Sequence, residues 1–404
     1  MISSIQILCS TGLKLCSAVA IVVASMMLNP VVVGQDVDPA SLKGIGGKWY
    51  VSSTEPAVYY FKDGSRYLDL FSYHSKDSNK DGINNVVIHH DATSLIVDSQ
   101  GYPNHPTAIF PNSGNPNQIL VQKFQFRFPL EPKLSDRITR LPMGPIGMAL
   151  NGVVFFNPFE AGGMNAVEGY SEVWLDSCCG HPQQHGVYHY HKYPVCVKSP
   201  FRDDSKQHSP VIGLAFDGFP VYGPYEGDGV FAKDVAGEHA LDVCNGHSDP
   251  ERGYHYHVTP GRFPYVVGGY HGEIDPANFR GPQRLGYGAI EDNSSGESRL
   301  PQVIASVTPG NAVAGKKHQL VIQLDPAKAG RRPVPDGQPD WVQIGPFEAT
   351  NIARDANRIT CDVDIPADVA AGVLMDCHIE FPNDGSRMVF KANEIFRVTV
   401  DSDP

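Results

Sequence analysis

Toward the C-terminus, apolar and polar residues alternate with a period of two. Val303-Ile304-Ala305-Ser306-Val307-Thr308-Pro309-Gly310, His318-Gln319-Leu320-Val321-Ile322-Gln323-Leu324 and Arg358-Ile359-Thr360-Cys361-Asp362-Val363-Asp364-Ile365-Pro366 all read this way. Residues two apart share one face of a strand, so these runs predict half-buried strands and a small β-sandwich over residues 300–404. Upstream, Val58-Tyr59-Tyr60-Phe61, Val86-Val87-Ile88 and Ile119-Leu120-Val121 are apolar runs bounded by Gly, Asn, Asp and Pro, and they too predict strands. Asp77 to Gly82 has the look of half a calcium loop. Its twelfth position would be Ile88, where such a loop needs a bidentate Glu, so a polar hairpin turn is expected there.

The first residues carry a different pattern. Lys14 precedes an apolar run from Leu15 to Leu28, followed by small residues up to Gly34-Gln35. Fourteen apolar residues are too few to span a bilayer, which takes about 20. The pattern predicts a signal peptide over 1–34, cleaved near Gly34-Gln35, and a secreted, periplasmic or cell-surface protein with no transmembrane segment in the mature chain.

The middle of the chain is internally duplicated. Shifted by 66 residues, 146–194 aligns with 212–260 without a gap, and 19 of the 49 aligned positions are identical. Glu172, Leu175, Asp176, Cys178, Gly180 and His181 fall on Glu238, Leu241, Asp242, Cys244, Gly246 and His247. Tyr188-His189-Tyr190-His191 falls on Tyr254-His255-Tyr256-His257. A duplicated unit is expected to pack about an approximate two-fold axis. The comparison also filters residues. His185 faces Glu251 and Cys179 faces Asn245, so neither pair has a role required of both halves. Glu160/Glu226 join the retained polar set.

The expected architecture is therefore mainly β. A β segment over 35–85 packs on a pseudo-two-fold domain over 86–290, a polar linker covers 291–299, and an immunoglobulin-like β-sandwich follows. Forty Gly, 33 Pro and only 19% charged residues suit short strands joined by many turns. The net charge of −12 argues against a nucleic-acid partner. The chain has no P-loop, dinucleotide fingerprint or Gly-x-Ser-x-Gly elbow.

The candidate chemistry lies in the histidines. In a Tyr-His-Tyr-His strand both imidazoles share one face and both phenols the other. If the two tetrapeptide strands meet near the axis, His189, His191, His255 and His257 converge, joined by His181 and His247. Such a site suits copper or zinc. Asp176, Asp242, Glu172 and Glu238 are candidate acceptors for the outer ring N–H groups, or else residues that cap turns. Loading needs neutral imidazoles, so affinity should fall as pH drops through about 6.5. Two other readings use the same residues: a metal-dependent or acid–base enzyme, and a cell-surface interaction module with purely structural histidines. Trp174 and Tyr222 are expected in the core, Asp217 in a turn, and His105 near the cluster or exposed.

In an exported chain, Cys178, Cys179, Cys196, Cys244, Cys361 and Cys377 are disulfide candidates. Cys361 and Cys377 stand apart from the rest and are expected to pair. The other four allow three pairings, of which Cys178 with Cys179 is the least favoured geometrically.

The strings CNGH, YHYHVT, GLAFDGFPVYGPY and FPYVVGGYHG resemble the YHYH family, exported proteins named for that tetrapeptide. The upstream GYPNHPTAIFPNSGNPNQILVQKFQFRFPLEP is similar to the segment that precedes it in the family. The resemblance covers residues 86–275 and implies export, but no reaction. Gly269-Tyr270-His271 stands where the family often has a Cys. The C-terminal strands faintly resemble TIG/IPT modules, and no motif names a protein or glycan partner for them.

Overall fold

The turn-rich composition is realised as short β-strands and a few single-turn 3-10 helices. The computed structural model describes residues 37–399, apart from Ser75, Ala161, 198–200, Arg202, 280–293, Asp368, Ala370 and 384–385. The expected signal peptide and residues 291–293 of the expected linker lie outside the described residues. Among the described residues, no helix is long and apolar enough to cross a membrane.

The duplicated stretch builds one eight-stranded sheet. Its strands are β1 (Pro145–Ala149), β2 (Val154–Phe156), β3 (Gly180–Pro182), β4 (Tyr188–Tyr190), β5 (Val211–Ala215), β6 (Pro220–Tyr222), β7 (Gly246–Asp249) and β8 (Gly253–His257). Their order is β3-β4-β2-β1-β5-β6-β8-β7, so strands of the two copies occupy mirrored places. Phe155 pairs with Tyr190 across parallel strands, and Val221 pairs with Tyr256 in the same way. The copies meet at β1 and β5, where Gly147, Met148 and Ala149 pair with Ala215, Leu214 and Gly213. Both strands are buried over nearly their whole length. A Cβ on Gly147 or Gly213 would lie 2.5 Å from a carbonyl oxygen of the partner strand. The retained glycines therefore permit the close approach of the two copies.

That seam overturns the expected shared centre. Strands β4 and β8 carry the tetrapeptides and have β2, β1, β5 and β6 between them. At about 4.8 Å per strand step, five steps separate them by about 24 Å. The copies join through their most apolar strands, and the histidine strands are pushed to opposite flanks.

Before this sheet lie a meander of Leu42–Gly46, Trp49–Ser52, Tyr59–Asp63 and Arg66–Asp69, and a sheet of Val86–His90, Ser94–Ser99 and Phe124–Pro129. Trp49, Phe61, Leu95 and Phe128 share one core with Phe155, Tyr190, Phe216 and Tyr256. Asp77 accepts the N–H groups of Asp81 and Gly82, as expected of a polar turn. Ile119-Leu120-Val121 is not a strand. It crosses the loop before β4, where Leu120 N–H reaches the Gly186 carbonyl.

The C-terminal residues form two sheets around a second core. Cys361 and Cys377 are both free and buried, contrary to the expected pairing. Cys361 lies on Arg358–Ile365 and Cys377 on Leu374–Asn383, strands of different sheets. The thiols instead fill the core as small apolar groups. Cys178 bonds Cys196, across 18 residues.

This C-terminal part is clamped to the first copy. Lys192 Nζ lies 2.9 Å from Asp376 Oδ2, with both residues buried. Lys391 Nζ lies 3.3 Å from Glu172 Oε1. Residues 294–299 of the expected linker are tied down too, through Tyr170 N–H to the Ser295 carbonyl and Arg299 Nε to the Tyr170 carbonyl.

Candidate metal centres

Each tetrapeptide strand separates its rings by face, as period two requires. On the phenol side, Tyr188 donates to Asp176 Oδ2 at 2.7 Å and Tyr254 donates to Asp242 Oδ2 at 2.8 Å. The second tyrosines follow suit: Asn151 Nδ2 reaches Tyr190 Oη at 3.0 Å, and Tyr256 donates to Asp217 Oδ2 at 2.6 Å. Asp217 thus anchors a tyrosine as well as its own turn.

Asp176 and Asp242 do not receive histidine ring protons from the tetrapeptides. They accept backbone N–H groups of Cys178 and Gly180, and of Cys244 and Gly246. They hold the turns that present His181 and His247, the capping alternative raised by the sequence. Burial pushes the Asp176 carboxyl up to about 7, against the opposing hydrogen bond from Tyr188. Gly180 and Gly246 sit directly beneath the Tyr188 and Tyr254 rings, where a Cβ would collide. Glu172 is engaged by Lys391 and Asn393, and Glu238 is exposed on a 3-10 turn. Neither glutamate supports a ring N–H: backbone carbonyls take that place on the other rings, and Asn115 meets Nδ1 of His181.

In the second copy, the imidazole side is a convergent donor set. His255 Nδ1 meets the Gly253 carbonyl at 2.8 Å, His257 Nδ1 meets Gly223 at 2.6 Å, and His247 Nδ1 meets His239 at 2.8 Å. His208 joins them, with its Nδ1 2.9 Å from the Ser209 carbonyl. A carbonyl only accepts, so each ring carries its proton on Nδ1 and turns an Nε2 lone pair inward. The inward atoms are close: His247 to His255 is 3.1 Å and His208 to His255 is 3.3 Å. Glu226 Oε1 lies 3.1 Å from His247 Nε2 and 3.2 Å from His257 Nε2.

Those separations can be checked against a metal. Bonds of about 2.0–2.1 Å to imidazole nitrogen place neighbouring ligand atoms about 2.8–3.4 Å apart, from octahedral to tetrahedral geometry. The donors fall into two groups that share His257, His208/His255/His257 and Glu226/His247/His257, each with its ligand atoms within 4.8 Å of one another, and a cation in either would relieve the inward lone pairs. Burial lowers His208 to about 4 and holds His255 far below the ordinary imidazole value. Burial also acts on His247, but Glu226 outweighs it and raises that ring. Glu226 is itself held well below the usual carboxylate range, since the His247 and His257 rings against its Oε1 overcome its burial.

In the first copy, His189 Nδ1 meets the Val187 carbonyl at 2.9 Å and His191 Nδ1 meets Asn157 at 2.8 Å. Their Nε2 atoms are 3.1 Å apart, and His181 completes the group. Glu160 stands where Glu226 stands in the other copy, 3.8 Å from His191 Nε2. Burial lowers His191 to about 4 and His181 and His189 further. Most of these rings thus stay neutral well below the expected threshold near pH 6.5.

The family model described as YHYH protein matches residues 125–230. This stretch is a YHYH domain. The match spans the first tetrapeptide and Glu226, and the second tetrapeptide lies beyond it. No curated protein and no solved structure matches the chain.

The structure brings the six YHYH-region histidines together in two groups of three, where the sequence led to an expectation of one group of up to six. Two donors escaped it. Glu226, with Glu160, was marked by retention in both copies but not as a ligand, because a carboxylate 21 or more residues from its histidines has no spacing signature. His208 lies between the copies and carries no sequence signal at all. His105 sits on the phenol face, its Nε2 2.6 Å from Tyr190 Oη, away from the imidazoles. His105, Cys178 and Cys196 also approach one another, but the disulfide occupies both sulfurs. Trp174 and Tyr222 are buried, as expected.

Proposed function

We propose that this chain is an exported transition-metal-binding protein whose ligands come from the imidazole faces of the YHYH strands. The observation that carries the reading is the second copy's inward set of His208, His247, His255 and His257 with Glu226. Four imidazoles and one carboxylate suit zinc or copper(II) and suit magnesium or calcium poorly. Nδ1 protons given to backbone carbonyls are what supporting interactions around metal-bound histidines ordinarily supply.

Elemental analysis of untagged protein, before and after incubation with zinc or copper, tests this. A stable, near-stoichiometric content is expected. Less than a tenth of an equivalent of either metal after incubation and desalting would remove the proposal.

A further inference from the structure

Resting on that metal reading, we infer that the two copies are chemically unequal: Asn115 locks His181 in the tautomer that cannot bind metal, so only the second centre loads. The argument follows the protons. Asn115 is buried, and its side-chain amide is oriented by two backbone groups of unambiguous sense. Its Oδ1 accepts the Asn117 N–H at 2.9 Å, and its Nδ2 donates to the Pro182 carbonyl at 2.9 Å. The amide cannot be turned over without losing both bonds. Nδ2 then faces His181 Nδ1 at 3.2 Å, so that ring nitrogen is an acceptor. A neutral imidazole has one proton, and here it sits on Nε2, the atom aimed at His189 and His191. His181 Nε2 is buried and has no hydrogen-bond partner.

The equivalent ring in the other copy is wired the opposite way. His247 Nδ1 faces the His239 carbonyl, which forces the proton onto Nδ1 and the lone pair inward. The remaining support is the same in both copies, since Val187 and Asn157 match Gly253 and Gly223 at the 66-residue offset. The first centre also has no counterpart to His208 among the residues grouped there. It keeps two usable lone pairs, with Glu160 Oε1 3.8 Å from His191 Nε2, and presents an N–H where His247 presents a lone pair in the other centre. Asn115 is thus a positioning residue that acts through His181.

Zinc counted on untagged full-length protein, stripped with a chelator and reloaded, tests this. Wild type should hold about one equivalent, His191→Ala should keep it, and His257→Ala should lose it. Asn115→Asp replaces the donor by an acceptor, draws the His181 proton to Nδ1 and should raise the content to about two. Asn117 Nδ2, 3.1 Å from the Pro182 carbonyl, can still satisfy that oxygen in the variant. Imidazole 15N shifts of the wild-type protein provide a second readout that needs no variant. His181 should report the Nε2–H tautomer, and an Nδ1–H signal would overturn the lock. Two zinc ions in wild type, one of them lost in His191→Ala, would overturn it as well. No zinc at all would instead overturn the metal reading, leaving the tautomer to the 15N measurement.

Discussion

His247 and His255 face each other Nε2 to Nε2 at 3.1 Å, and both have already directed their Nδ1 atoms at backbone carbonyls. Two lone pairs at that distance repel unless a positive charge sits beside them. His255 is central to the set, within 3.3 Å of both His208 and His247. Its replacement by Ala should weaken zinc or copper affinity at least 100-fold, and Glu226→Gln about 10- to 100-fold. Competition with a chelator of known affinity measures both. Wild-type affinity in His255→Ala would mean that the cluster is not the site.

Glu380 and His378 form a buried pair at the junction with the C-terminal sheets, with His378 Nε2 3.5 Å from Glu380 Oε1. Burial raises Glu380 to about 7 and lowers His378 to about 3, so His378 is neutral and Glu380 is about half protonated near pH 7. A carboxyl raised in the folded state keeps a proton that the unfolded chain releases near its ordinary value of about 4.3. Its contribution is therefore present at low pH and is lost as pH rises from about 4.3 through about 7. Glu380→Gln should remove that component, so the variant should gain stability relative to wild type at pH 8 but not at pH 4.5. Urea unfolding at the two pH values reads the difference, and an equal shift at both would contradict the assignment.

Lys192 and Asp376 are both buried and pin the C-terminal sheets to the first tetrapeptide strand. Lys192→Ala should cost about 3–5 kcal/mol, because it strands a carboxylate in the interior. The double variant Lys192→Met/Asp376→Asn should recover most of the loss, since Asn can still accept the Glu394 N–H that Asp376 holds at 2.9 Å. Thermal unfolding of the three proteins decides it. Equal destabilisation by the single and double variants would show that the pair matters as shape rather than charge.

The Cys178–Cys196 bridge closes a separation of 18 residues and should contribute about 3 kcal/mol through the unfolded chain. Denaturation with and without reductant should differ by that amount. Alkylation of the unreduced, denatured protein should label Cys179, Cys244, Cys361 and Cys377, which the structure leaves free. Finding Cys361 and Cys377 protected would restore the pairing expected from their isolation in sequence.

Local regularities were legible in the chain because they depend only on neighbours along it. Period-two alternation placed His318 to Leu324 and Arg358 to Pro366 in strands, found as Lys316–Leu324 and Arg358–Ile365, and put His189 with His191, and His255 with His257, on one face. The 66-residue repeat singled out Asp176/Asp242 and Glu160/Glu226 before any coordinates, although their tasks had to wait. Ile119-Leu120-Val121 carried the same apolar signal and is not a strand, since its Leu120 N–H is taken by the Gly186 carbonyl of a loop rather than by a neighbouring strand.

Strand order was decided only by packing. The apolar strands Pro145–Ala149 and Val211–Ala215 made the better seam, and a choice of seam is not written in the spacing of histidines. It set the tetrapeptides about 24 Å apart and turned one expected centre into two. The arrival of His208, the two opposite proton arrangements at His181 and His247, and the partner of Cys178 are likewise through-space facts. Each depends on which backbone carbonyl, amide or thiol the fold brings alongside, and residues distant in sequence carry no periodic trace of that meeting.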